Sequence, residues 1–190
     1  MSSPYKTVSF YTFGCKVNFT ESSTIGRQFY NAGYSIVDFD SETDVCVINT
    51  CSVTENADKK AKKTITRLKN KYPNTFIAVI GCYAQLKPEE ISKIPGADIV
   101  LGTHDKYDVI KYIEKKSDLN SKIISTDIDQ VDVFNHSYSI NERTRAYLKV
   151  QDGCDYSCSY CTIPLARGKS VSGELSELIE FQDSWNLQRE

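Results

Sequence analysis

Val45-Cys46-Val47-Ile48-Asn49-Thr50-Cys51 is the stretch from which the fold follows. Its first five residues, apolar up to Asn49, run without alternation, which is typical of a strand covered on both faces. Phe76-Ile77-Ala78-Val79-Ile80 has the same character, and Ile99-Val100-Leu101 is a shorter version of it. Upstream, Thr7 to Phe13 is β-branched and aromatic and ends at Gly14, giving another buried strand, and Tyr34 to Phe39 alternates as a strand should.

Helical stretches lie between these strands. Asn18 or Thr20 would cap a helix running to about Asn31, with Ile25, Phe29 and Tyr30 on its apolar side and Gly33 as its stop. Thr54 opens a second helix reaching roughly Tyr72, where Pro73 ends it. Pro88 starts a short helix that Pro95-Gly96 terminates, and Tyr107 to Lys116 reads as a last one, with Val109, Ile110 and Ile113 apolar. Strands alternating with helices over short connections imply βαβ units, hence an α/β fold with a doubly wound parallel sheet. That domain is expected to span residues 1–116. Residues 117–143 are polar and irregular apart from Ile123-Ile124, and read as a connection with one edge strand. Residues 144–190 begin a second unit.

Composition sets outer bounds. The chain has 190 residues, enough for one domain and part of another. Its net charge of −2 points to no particular partner, although a local basic stripe can still exist. Met1-Ser2-Ser3-Pro4-Tyr5-Lys6 has no long apolar run behind it and is no secretory signal. No stretch approaches the length of a membrane span. The expectation is a cytoplasmic protein with no membrane partner, in which seven cysteines point to metal or redox chemistry before disulfides.

The cysteines fall into three kinds. Cys15, Cys51 and Cys82 each come just after the carboxyl end of a predicted parallel strand, the edge where open α/β sheets place their ligands. They should therefore be spatial neighbours, with Gly14 and Gly81 letting the backbone approach a bulky centre. Cys46 sits inside an apolar strand and reads as a small hydrophobe without function. Cys154, Cys158 and Cys161 form a CxxxCxxC in which three thiols can reach one centre if the backbone wraps round it. Thiolate selects zinc, copper(I) or iron–sulfur. A structural zinc site wants four ligands, and the nearest histidine, His136, lies eighteen residues before Cys154. Three thiolates on a four-iron cluster would leave one iron open. Tyr160, just before the last cysteine, could lie flat against a bound adenine.

The CxxxCxxC with Tyr160 resembles the radical S-adenosylmethionine (SAM) enzymes, and Thr144 to Gly153 leading into it is similar to the tRNA methylthiotransferases among them. Phe13-Gly14-Cys15-Lys16-Val17-Asn18, Asn49-Thr50-Cys51-Ser52-Val53-Thr54 and Gly81-Cys82-Tyr83-Ala84-Gln85 resemble the three signature segments of that family's N-terminal domain. Asp58-Lys59-Lys60 and Ile94 to Thr103 resemble the branch acting on threonylcarbamoyladenosine. The resemblance implies two [4Fe–4S] clusters, an auxiliary one on Cys15, Cys51 and Cys82 and a SAM-binding one on Cys154, Cys158 and Cys161. It further implies SAM as radical source and methyl donor, with Tyr160 as a SAM contact. The implied substrate is tRNA, methylthiolated at carbon 2 of N6-threonylcarbamoyladenosine 37, and an electron donor such as flavodoxin or ferredoxin is implied as partner. Lysines 59, 60, 62, 63, 69 and 71 with Arg67 form a candidate tRNA contact or a merely solvated helix face. Arg167 and Lys169 are candidate contacts to SAM or RNA.

The chain departs from the family after Ser170. Val171-Ser172 stands where members often have an arginine beside serine, and a complete barrel takes roughly 250 residues where fewer than 50 follow Glu142. Leu175, Leu178, Ile179 and Trp185 lie at helical spacing with no further strand to cover. The expectation is a truncated member holding the first strand, cluster loop and helix of an incomplete radical SAM barrel, inactive by itself. Two other readings use the same cysteines: a non-catalytic iron–sulfur carrier of electrons or sulfur, and a zinc-stabilised α/β binding module.

Overall fold

A computed structural model describes residues 7–51, 55–115, 122–131, 133–140 and 145–186. β1 (Thr7–Thr12), α1 (Lys16–Asn31), β2 (Ser35–Ile36), β3 (Val45–Thr50), α2 (Glu55–Lys71) and β4 (Phe76–Gly81) follow in order. Next come α3 (Cys82–Leu86), α4 (Pro88–Ser92), β5 (Ile99–Leu101), a 3-10 turn over Asp105–Asp108, α5 (Val109–Glu114) and β6 (Ile123–Ile124). The six strands form one parallel sheet in the order β2-β1-β3-β4-β5-β6.

All six residues of β3 are buried because the strand is covered on both faces. Successive side chains of a strand point to opposite sides, so β3 feeds two cores. Cys46 and Ile48 join Ala61, Ile65 and Leu68 of α2 with Tyr83, Ala84 and Ile91 beyond β4. Val45 and Val47 join Ile25 and Phe29 of α1 with Val109 and Ile113 of α5. Helices on both faces of a parallel sheet make the domain doubly wound, as the alternation of strand and helix signals implied. The strand order reverses between β1 and β3, and a reversal of this kind opens a crevice at the carboxyl ends of the two strands.

Several boundaries differ from expectation, each for a local reason. Helix α1 starts at Lys16 with Cys15 as its N-cap, not at Asn18 or Thr20; both of those are buried inside its first turns. In the alternating segment 34–39 the strand itself is only Ser35 and Ile36, with Val37 donating once more to Val8, because it lies at the sheet's outer edge with one neighbour. Residues 82–86 form an additional short helix directly after β4, and the last helix begins as the 3-10 turn at Asp105. Thr54 and Lys116, the expected ends of two helices, lie outside the described residues. Ile123-Ile124 is the expected edge strand, pairing parallel with β5.

Beyond it, β7 (Tyr138–Ser139) pairs antiparallel with β8 (Tyr147–Leu148), and β9 (Gln151–Asp152) with β10 (Val171–Ser172). The cysteine loop lies between β9 and α6 (Ile163–Arg167), and α7 (Leu175–Asn186) follows β10. Leu175 and Ile179 of α7 are exposed, whereas the Trp185 side chain lies outside the described ones. Among the described residues no helix is long and apolar enough to cross a membrane.

Candidate functional site

The crevice at the β1/β3 switch point is where two of the cysteines emerge. Phe13 donates its amide to the Asn49 carbonyl at 2.8 Å, extending the β1–β3 pairing to the last residue before Gly14. Gly14 has φ +97°, and a Cβ there would sit 2.5 Å from Cys51 Cβ and 2.7 Å from its Sγ. Only glycine lets the Cys15 turn approach Cys51 this closely. On the other side of β3, Gly81 crosses from Thr50 in register and also has φ +97°. A Cβ on it would fall 2.5 Å from the Thr50 carbonyl oxygen. Cys82 follows as the first residue of α3. Cys15, Cys51 and Cys82 thus leave three adjacent strands at one edge, exposed, buried and half-buried respectively. Cys46 is buried in the strand, and burial pushes its thiol up to about 12. It is a protonated core residue.

The second group stands on an irregular loop. Cys154 donates its amide to the Gly168 carbonyl at 3.1 Å, and Cys161 donates to the Cys158 carbonyl at 3.0 Å. Cys154 and Cys161 are half-buried and Cys158 is exposed. Tyr160 is 91% exposed. None of the seven cysteines is in a disulfide. Among the described residues, no three His, Cys, Asp or Glu side chains are grouped as ligands of a single metal ion. His136 is engaged elsewhere, with Nε2 2.8 Å from Glu177 Oε2 and its ring edge-on to Phe134.

A buried polar cluster joins the two cysteine-bearing regions. At its centre is Glu21, fully buried in α1 on the same helical face as Asn18 and Ile25. Arg167 grips it with both terminal nitrogens, Nη1 to Oε1 at 2.9 Å and Nη2 to Oε2 at 3.2 Å. Lys106 Nζ lies 2.7 Å from Oε2, an ion pair whose angles are off those of a hydrogen bond, and Lys149 Nζ lies 3.6 Å from Oε1. Arg167 Nη1 also donates to Asp152 Oδ1 at 2.8 Å, and Lys149 to Asp152 Oδ2 at 2.9 Å. The Tyr107 hydroxyl accepts from Lys149 at 3.1 Å. Burial alone would raise the Glu21 pKa, but the charges of Arg167, Lys106 and Lys149 overcome it and hold the carboxyl far below the usual range. Burial lowers the pKa of Lys106, with Glu21 opposing.

Arg167 is therefore not available to SAM or RNA, contrary to expectation. Its side chain is only 7% exposed, with Cys82 within electrostatic reach. Glu21, Lys106, Lys149 and Asp152 were not singled out from sequence, and Asn18 was read only as a helix cap. The one available signal was periodicity, since Asn18 and Glu21 fall on the apolar face of α1 beside Ile25, where a polar residue must find a buried partner.

Residues 7–102 match the family model described as uncharacterized protein family UPF0004. The chain belongs to that family. It is also 43% identical over 181 residues to a threonylcarbamoyladenosine tRNA methylthiotransferase of Bacillus subtilis, covering 92% of this chain and 39% of the relative. The protein of that name in Thermotoga maritima is 37% identical over 175 residues, 92% of this chain and 40% of its own. A tRNA-2-methylthio-N(6)-dimethylallyladenosine synthase of Clostridium novyi is 34% identical over 176 residues, 89% of this chain and 39% of its own. The chain thus spans about two fifths of the length of these relatives.

Proposed function

We propose that this chain is the N-terminal part of a tRNA methylthiotransferase that adds a methylthio group to carbon 2 of N6-threonylcarbamoyladenosine 37. The observation that supports the reading is that one α/β frame carries two sets of three cysteines. One triad stands at the carboxyl edge of β1, β3 and β4, and the loop of the other is tied back to that edge through Arg167. The greater identity to two of the relatives named for threonylcarbamoyladenosine, 43% and 37% against 34% for a relative of the other named activity, supports that substrate branch.

The donor set fits iron–sulfur chemistry. Each set is three thiols outside any disulfide, with no histidine beside it in sequence, which suits a cluster with one open iron better than a closed zinc site. Cys15, Cys51 and Cys82 would hold the auxiliary [4Fe–4S] cluster and Cys154, Cys158 and Cys161 the SAM-binding one. Tyr160 would contact SAM. When bound, the clusters and SAM supply the radical, sulfur and methyl chemistry, fed by a donor such as flavodoxin or ferredoxin. The chain's own contribution is placement: glycines press the cysteine turns together, and the buried ionic cluster seats the second loop on the sheet domain. The zinc-module reading loses its candidate fourth ligand, because His136 is engaged with Glu177.

Helix α2 is the proposed tRNA contact. Lys62 pairs with Glu90, Arg67 and Lys71 with Asp40, and Lys69 with Asp98. Lys59, Lys60 and Lys63 have no ion-pair partner among the described residues and are the cations left for phosphates. A tRNA-modifying enzyme of this kind would work in the cytoplasm.

The test is mass spectrometry of tRNA nucleosides from a strain lacking its own enzyme. The 190-residue polypeptide alone should give no methylthio nucleoside. A chimera continuing after Ser170 into a homologous barrel and RNA-binding domain should restore it, and Cys158→Ala in that chimera should abolish it. Zinc without iron or acid-labile sulfide in the anaerobically purified protein would sink the reading.

A further inference from the structure

The Asn18 carboxamide touches both of the first two cysteine turns. Its nitrogen donates to the carbonyls of Phe13 and Thr50, both at 3.0 Å, so its two hydrogens clasp the backbone just ahead of Gly14-Cys15 and of Cys51. Its oxygen accepts from Arg167 Nη2 at 2.7 Å. Asn49 reinforces the clasp by donating to the Asn18 carbonyl at 3.0 Å.

Arg167 is tied as firmly at the other end. It closes α6, and the next residue, Gly168, accepts the Cys154 amide. The preceding residue, Ala166, accepts the Thr103 hydroxyl at 2.7 Å, fastening α6 to the loop after β5. Gly153 lies so close to this turn that a Cβ on it would fall 2.7 Å from the Gly168 carbonyl oxygen and 2.0 Å from that of Lys169. A continuous path therefore runs from the Cys154 backbone through Gly168 and the Arg167 guanidinium to Asn18. From there it reaches the backbone on which Cys15 and Cys51 stand.

Resting on the function proposed above, we propose that Asn18 and Arg167 form a rigid bridge that fixes the two cysteine-bearing regions against each other, making both positioning residues for group transfer between the sites. A planar fork held by Glu21 and Asp152 has one orientation, so it transmits position in a way a flexible lysine contact does not. Small displacements of reacting groups cost large factors in rate. A bridge of buried groups, each held by several hydrogen bonds, is therefore suited to setting a distance.

The test uses the 190-residue polypeptide as it is, without added cofactor. Amide exchange is followed at single residues in Asn18→Ala, Arg167→Lys and Arg167→Gln. With a bridge, Asn18→Ala speeds exchange about tenfold or more at Phe13 and Phe19 and also at Cys154 and Gly168, although no covalent path shorter than 130 residues joins the two sets. Arg167→Lys keeps the charge without the fork and gives a smaller rise at both sets; it remains informative where Arg167→Gln does not fold. Exchange that changes in only one set overturns the bridge. A second reading follows reconstitution with iron and sulfide: Asn18→Ala should keep the iron content and alter the magnetic interaction between the two reduced centres. An unaltered interaction overturns the positioning role. Failure of the wild-type chain to take up iron sinks the functional reading, and the exchange data then decide the bridge alone.

Discussion

The sheet domain and the segment after β7 are held together by different physics. β3 is buried along its whole length, and its side chains enter an apolar core on either face. From Tyr138 onward the strands are two-residue pairs, and the large apolar side chains Leu165, Leu175 and Ile179 are exposed. Ala166 is the one buried hydrophobic residue of the core in that stretch among the described residues. The charged cluster around Glu21 takes the place of a shared apolar core there. Apolar burial is non-directional and tolerates adjustment, whereas a buried ion cluster demands particular partners. The first region should therefore survive loss of the second, and the second should depend on a few side chains.

The most severe way to break this contrast is Glu21→Ala. It leaves Arg167, Lys106 and Lys149 buried with only Asp152 as counter-charge, and a buried charge stripped of its partner costs about 3–5 kcal/mol. We expect loss of structure from residue 145 onward, read by amide exchange, while exchange of β3 and β4 stays slow.

Acid should separate the regions more gently. The ionised form of Glu21 is favoured in the folded protein, since its folded pKa lies below its ordinary value of 4.5. Its stabilising effect is complete above that value and fades as the pH falls beneath it, and Asp152, also lowered, acts in the same sense. Urea denaturation should give a midpoint insensitive to these two groups near neutrality and falling on the acid side. Protection of the 145–168 amides should be lost before that of the sheet.

Limited proteolysis addresses the proposed division into 1–116, 117–143 and 144–190. Cleavage should fall between Ser117 and Arg143 and leave the sheet domain folded. Cuts confined to other segments would move the boundary.

The smallest effect is expected from Cys46→Ala. It removes one buried sulfur from a core that tolerates hydrophobic exchange, at a cost of about 1 kcal/mol. Iron content after reconstitution should not change. A lost cluster would give Cys46 a role the core position denies it.

The same contrast explains what the sequence disclosed. Parallel strands announce themselves, because burial on both faces requires uninterrupted runs such as Val45 to Asn49 and Phe76 to Ile80. The placement of Cys15, Cys51 and Cys82 at strand ends followed from those runs. The start of α1 was misplaced because Asn18, a favoured capping residue, is used inside the helix to clasp two loop carbonyls. Glu21, Lys106, Lys149 and Arg167 were illegible for a different reason. Long-range ion pairing has no period, and each of these residues alone reads as a surface charge. Their partners lie up to 146 residues apart.

The edge of the sheet carries a consequence for handling fragments of this protein. Val100 donates its amide to the Lys122 carbonyl at 2.9 Å, and Gly102 donates to that of Ile124 at 2.8 Å, so β6 and the residue before it cap the flank of β5. A polypeptide ending at residue 116 would uncover that flank, with Ile99, Val100 and Leu101 beside it. Open apolar strand flanks are templates for pairing with another chain. The shortened polypeptide should therefore self-associate as its concentration rises, whereas one extended through Ser125 should stay dispersed.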